Sequence, residues 1–233
     1  MRNVRRPSVG ITPCAVIWAA VLAVGVVGCK ANQGRQAAGD EAIAKVLPST
    51  VEQAEALAED VQSDLDRNAY SAAEAKLREL RGLGETFASV GVAIDKRSAY
   101  GVALDSLGAA ITRRSQANAL TAGNRVSRVV TGIMADFPTR VPMEVAYMDV
   151  AGRDVLYAAR QGRWRDAANP VGELERSYSA VQTHVKARNP ALDQRVTSEV
   201  AQLGRAVVSR EGDRAASLAQ ALLDDVDRIE QTF

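Results

Sequence analysis

Apolar residues along this chain recur at steps of three and four and never settle into alternation. That is the spacing of one face of a helix, not of a half-buried strand. The clearest stretch is the last one: Leu222, Val226, Ile229 and Phe233 advance by four, three and four among Asp224, Asp225, Asp227, Arg228 and Glu230. Such a stripe packs against a core while the charged positions face water. The same pattern predicts helices over about 49–67, 70–90, 96–114 and 117–137, then about 143–161, 164–186, 191–210 and 213–232.

The pattern also repeats. A shift of 94 residues lays Leu47-Pro48 on Val141-Pro142, Val51 on Val145, Val61 on Val155, Tyr70 on Trp164, Ala73 on Ala167 and Leu80 on Leu174. Beyond the middle of the unit the shift is 96. It then lays Tyr100 on Val196, Leu104 on Val200, Leu107-Gly108 on Leu203-Gly204 and Ile111 on Val207. Internal similarity over so long a period points to a duplicated unit of structure. Residues 47–137 form one copy and 138–233 the other, the second beginning in earnest at Val141. Short connections between amphipathic helices favour antiparallel neighbours. The expected fold is therefore all-α: a tandem duplication of a four-helix up-and-down unit, about eight helices in all. The short junction Phe137-Pro138-Thr139-Arg140-Val141 implies that the copies touch.

Punctuation agrees with the period. Pro48 and Pro142 stand just before helical runs, and Asn189-Pro190 opens another, positions where a missing amide hydrogen costs little. Gly162 and Gly212 are expected helix stops. Pro170 lies inside the sixth helical stretch, so a late start or a kink is expected there.

The N-terminal stretch has a different character. Arg2, Arg5 and Arg6 precede an apolar run from Ile11 to Gly28 that ends in Val26-Val27-Gly28-Cys29. A basic head, a short apolar stretch and a small residue make an export signal. This segment resembles the lipobox signal peptide of bacterial lipoproteins. The resemblance implies cleavage between Gly28 and Cys29, acylation of Cys29, and a mature protein held on a membrane by its lipid. The alternative is an uncleaved spanning anchor, for which the run is at the short limit. Lys30 stands where many Gram-negative lipoproteins carry an inner-membrane retention Asp, so the resemblance implies outer-membrane sorting in such a cell. Residues 1–28 would then be the signal and 29–46, rich in Gly, Gln and Ala, a tether.

Composition narrows the functions. Of 29 Lys and Arg, three lie in the first 28 residues with none of the 28 acidic ones, so the remainder nets −2. A nucleic-acid binder would carry clustered positive charge, and none is evident. Cys14 leaves with the signal and Cys29 is taken by lipid, so no disulfide supports the body.

Candidate chemistry is sparse. His184 is the single histidine, and a di-iron bundle needs Glu-x-x-His from two helices; His184 is expected near the surface at the end of the sixth helix. Met134, Met143 and Met148 gather around the junction of the copies and could hold Cu(I) by their thioethers, although methionine more often fills gaps in a core. Three charged pairs recur at equivalent places: Asp60 with Asp154, Glu79 with Glu173, and Arg114 with Arg210. These are expected to be solvated positions, with Arg114 and Arg210 in last helical turns where a cation suits the dipole. Asp149 and Arg153 are spaced for a helix-face ion pair. There is no Gly-x-Ser-x-Gly and no phosphate loop. The stretches Asn68 to Leu80 and Gly162 to Leu174 resemble half a tetratricopeptide unit, without that family's period of about 34 residues. Paired helical bundles also occur in imelysin-like periplasmic proteins, whose histidine motif has no counterpart here. The sequence thus favours a membrane-tethered periplasmic lipoprotein that is not an enzyme and carries no cofactor. Its partners would be the membrane, through lipid, and a protein of the cell envelope. The alternative is a carrier of metal or small apolar ligand at the seam between the copies.

Overall fold

The computed structural model describes residues 46–233; the signal, Cys29 and most of the proposed tether lie outside the described residues. Eight helices follow one another: α1 (Ser49–Asp66), α2 (Tyr70–Thr86), α3 (Ile94–Thr112), α4 (Gln116–Met134), α5 (Met143–Arg160), α6 (Trp164–Arg188), α7 (Pro190–Val208) and α8 (Gly212–Glu230). Among the described residues there is no strand, and no helix is long and apolar enough to cross a membrane.

The duplication is visible in the helix bounds. Both ends of α1 and α5 differ by 94, while both ends of α3 and α7, and of α4 and α8, differ by 96. The two extra residues enter where α6 runs on to Arg188 and α2 stops at Thr86. Within each copy the helices pack in a closed ring, α1–α2–α3–α4–α1 and α5–α6–α7–α8–α5. The ring follows from connections of one to seven residues between the amphipathic helices of each copy, which turn each helix back along its predecessor.

The stops are also paired. Asn68 and Gly162, 94 apart, both take positive φ (58° and 65°), and so do Arg114 and Arg210, 96 apart (49° and 58°). After each, an amide reaches back five residues: Ala69 N–H to Asp64 O, Arg163 to Ala158, Ser115 to Ala110 and Glu211 to Ala206. This closure satisfies carbonyls that the helix end leaves unpaired, and it is why a left-handed residue is required. Arg114 and Arg210 are therefore not last-turn cations; they lie past the ends of α3 and α7. Gly162 is a stop as expected, whereas Gly212 is the first residue of α8. Helix α6 runs without interruption from Trp164 through the buried Pro170, so no late start occurs.

The core is small-residue and aliphatic. Leu65, Leu80, Leu107 and Ile133 in the first copy and Met148, Leu174, Leu203, Leu222 and Ile229 in the second are fully buried. Bulk is exchanged between the copies. Tyr100 lies against Gly84 and donates to Leu80 O at 3.0 Å; at the equivalent places of the second copy stand Val196 and Tyr178, both buried. Likewise Gly152 makes room for Leu223, where the first copy has Ala58 and Ser127.

Candidate functional site

The polar residues that matter gather where the copies meet. Helix α4 of the first copy lies antiparallel along α5 and beside α6. Asn124, fully buried, donates from one amide nitrogen to Val150 O at 2.8 Å and to Asp154 Oδ1 at 2.7 Å. One turn on, the Arg128 guanidinium divides its two ends between Asp154 Oδ2 at 2.7 Å and Glu173 Oε1 at 2.8 Å. Its partners raise its already high pKa further, against a burial that alone would lower it. At the end of the contact, Gln161 and Arg163 reach Thr121 at 3.2 and 3.0 Å. A buried amide nitrogen and a divided guanidinium fix register as well as contributing energy, because a shifted alignment would leave these donors without their acceptors.

Helix α1 supplies a second strip. Gln62 donates to Ser127 Oγ at 2.8 Å inside its own copy and accepts from Tyr157 Oη at 3.1 Å across the seam. Arg153 lies between Asp149 Oδ2 (2.9 Å) and Glu59 Oε1 (3.2 Å). The Asp149–Arg153 pair expected on an open helix face is in fact enclosed, with side chains 17% and 19% exposed. Around this single arginine stand Glu55, Glu59, Asp149, Asp227 and Glu230, from α1, α5 and α8. Burial, then the neighbouring carboxylates Glu59, Glu230 and Asp149, push Glu55 up to about 8. Burial dominates at Asp149 as well, raised to about 6 despite Arg153, and at Glu230, raised to about 7. One guanidinium cannot neutralise five carboxyls in a partly dry site, so some keep their protons near neutrality. The arrangement is a proton-holding seam. Among the described residues no three His, Asp or Glu side chains converge to hold a metal ion.

Other residues singled out from the sequence are scattered. Met148 is fully buried in the core, Met134 is partly buried against it at the end of α4, and Met143 opens α5. His184 is half-buried, stacked on Phe233 with ring centroids 4.0 Å apart and its Nε2 2.9 Å from Thr232 O. It fastens the C-terminal residues to α6. Cys29 lies outside the described residues.

The charged pairs that recur between the copies turn out to differ. Asp154 and Glu173 are the two ends of the Arg128 clasp. Asp60 and Glu79 instead line an open groove between α1 and α2, with Gln53, Ala56, Leu57, Gly82 and Leu83. By the 94-residue shift this is the groove that, between α5 and α6, receives α4. Val150 and Ala151 are buried there (2% and 0% exposed), whereas their equivalents Ala56 and Leu57 are exposed and half-buried. A second opening lies between α5 and α8, lined by Arg160, Ala216, Ser217, Gln220, Ala221 and Asp224. Shifted by 96, Ser217, Gln220 and Asp224 are the counterparts of Thr121, Asn124 and Arg128. The two openings are thus the free ends of one asymmetric contact, made once inside the molecule.

The sequence carried a signal for this that a search for conserved pairs overlooks. Arg128 falls on Asp224 and Asn124 on Gln220; the receiving acids recur in both copies, while the donor residues are those where the copies disagree. No protein-family model, no curated protein and no solved structure matches the chain.

Proposed function

We propose that the protein is a non-catalytic helical interaction module, tethered to a membrane of the bacterial cell envelope through lipid on Cys29 and facing the periplasm, on the outer membrane of a Gram-negative cell. The observation that carries the interaction reading is the unoccupied α1–α2 groove, whose counterpart in the second copy grips a helix. The groove sets Ala56, Leu57 and Leu83 beside two carboxylates on a surface whose equivalent in the second copy is covered by α4. The tether reading rests on the Val26 to Cys29 segment alone. Nothing about Met134, Met143 and Met148 favours a carrier of metal, since Met148 spends its side chain in packing.

The test places a photo-crosslinking amino acid at Gln53 or Leu57 of the full chain in intact cells, with Val208, 84% exposed on α7, as control. A discrete adduct from the groove positions and not from Val208 is expected. Adducts at neither groove position would sink the interaction reading. For the tether, Cys29→Ala should leave unprocessed precursor, and a mature N-terminus elsewhere without acyl mass would remove the lipid anchor from the account.

A further inference from the structure

We infer that the α1–α2 groove takes an amphipathic α-helix of another protein that presents an arginine or lysine to Asp60 and Glu79, with a side-chain amide one turn before it. The inference rests on the reading of this protein as an interaction module, and it names the partner's chemistry.

The occupied groove shows what such a contact requires. There α4 lies with its apolar stripe on its own bundle, and with Asn124 and Arg128 turned to α5 and α6. Recognition uses two elements four residues apart: an amide that reads the Val150 carbonyl and one oxygen of Asp154, and a guanidinium that bridges Asp154 and Glu173. The open groove keeps the receiving half of both. Asp60 and Glu79 stand at the positions of Asp154 and Glu173, and Ala56 stands at that of Val150. A helix laid in such a groove is held by apolar anchors and oriented by the charged pair.

The charges present do not satisfy the site from within. Lys76 is 3.4 Å from Asp60, but its closer partner is Asp64 at 2.6 Å, a carboxylate just 5% exposed. It occupies the place of Pro170 in the second copy. Glu79 is exposed and makes no ion pair among the described residues. The groove therefore holds excess negative charge beside apolar surface, which calls for a cation on an apolar helix.

A second copy of this chain does not meet that need. The surface that would dock head-to-tail is the α8 ridge, where the counterpart of Arg128 is Asp224. Three carboxylates would then converge where the internal contact has one guanidinium between two. A heterologous contact of this kind, once attractive, propagates without closing; the aspartate at 224 blocks it by repulsion. The occupant is accordingly a different chain.

Two measurements on the purified full chain in detergent test this. The first uses as probe a synthetic peptide of residues 116–134, the one helix known to fit the equivalent groove. We expect saturable binding that weakens at least about tenfold when the peptide carries Arg128→Glu, or when the protein carries Asp60→Asn with Glu79→Gln. Both substituted side chains are exposed, and an unchanged helical spectrum will show that the fold is kept. The second restores the missing donor pair by Gln220→Asn with Asp224→Arg. Salt-sensitive self-association is expected from sedimentation, reversed by Asp60→Lys with Glu79→Lys, whereas the parent stays monomeric. Indifference of the peptide to charge at 128, or a charge-restored variant that remains monomeric, would overturn the proposal. So would a parent chain that self-associates through the groove, since a second copy would then be the occupant. Groove adducts in cells together with failure of both measurements would retain the interaction module and discard the cationic helix. Success of both without cellular adducts would show a groove able to hold such a helix and would overturn the claim of a partner that uses it in the cell.

Discussion

The two copies pack their second and third helices by opposite means. In the first, Gly84 leaves a recess that Tyr100 fills; in the second, Tyr178 fills it from the other side against Val196. The ring of Tyr100 is anchored through its hydroxyl on Leu80 O, that of Tyr178 on Asp193 Oδ1 at 2.8 Å. Each copy sets one aromatic ring between these helices, from one side or the other, because interiors are packed to near-crystalline density. Ala58 and Ser127 against Gly152 and Leu223 make the same exchange between the first and fourth helices. The buried charges follow no such rule. Asp64 is held by Lys76 and Arg67 in the first copy, and Asp225 by Arg195 and Arg228 in the second, at places that do not correspond. The ring between the second and third helices was kept in both copies, while the ion pairs around the buried aspartates were not.

The largest expected effects test whether the copies are equivalent at all. Leu107 and Leu203, fully buried on α3 and α7, should each cost about 2–5 kcal/mol when truncated to Ala. Denaturant unfolding measures both; if neither substitution matters, the shared register collapses.

The exchange of bulk comes next. Gly84→Tyr places a Cβ 2.9 Å from the Tyr100 ring and should cost about 1–3 kcal/mol by overpacking. Adding Tyr100→Val reproduces the second copy's arrangement and should recover most of that loss. A double-mutant cycle with no favourable coupling would show the exchange to be coincidence.

The filled and open grooves can be compared directly. Arg128→Ala leaves Asp154 and Glu173 facing each other in the seam and should cost about 1–3 kcal/mol. Asp60→Asn and Glu79→Gln, at the equivalent places of the open groove, should change stability by less than about 0.5 kcal/mol. Equal costs at the two grooves would contradict their difference in occupancy.

The smallest effect is pH dependence. Glu55, Asp149 and Glu230 keep their protons to higher pH in the folded chain than their usual values of 4.5, 3.8 and 4.5 allow. The folded state therefore binds more protons than the unfolded one between about pH 4 and 8, and stability falls as pH rises through that window. Asp64 and Asp193, both lowered, act below it, where their stabilisation is lost as pH drops. Melting temperature should decline from pH 5 to pH 8, and Glu55→Gln should flatten the decline and raise stability at pH 8. A Glu55→Gln chain with the parent's slope would place the effect elsewhere.

Helix number, the ring within each copy and the core stripes were legible from spacing alone. Val126, Val130 and Ile133 on α4 declare a buried face without reference to any other residue, since burial of one helical face writes a local period into the chain. Pro170 misled because a proline is read as a break, yet in α6 it falls early, where the surrounding packing carries the helix past it. Arg114 and Arg210 misled because a left-handed stop ordinarily advertises itself with glycine.

The amino-acid sequence by itself determined the all-α class, the two copies and the face that each helix buries. These follow from short-range periodicity and from the repeat that registers one half on the other. Only the tertiary structure decided that α4 crosses into the second copy's first groove, that Asn124 and Arg128 are the clasp, and that five carboxyls share Arg153. Unlike Asp149 and Arg153, four apart on α5, the hydrogen-bonded partners across the seam are 26 to 95 residues apart in sequence and obey no spacing rule. Their positions are fixed by how one closed ring of helices lies against the next, a relation set by the seam as a whole. The same relation left one groove filled and its equal open, although both are lined by the same pair of acids.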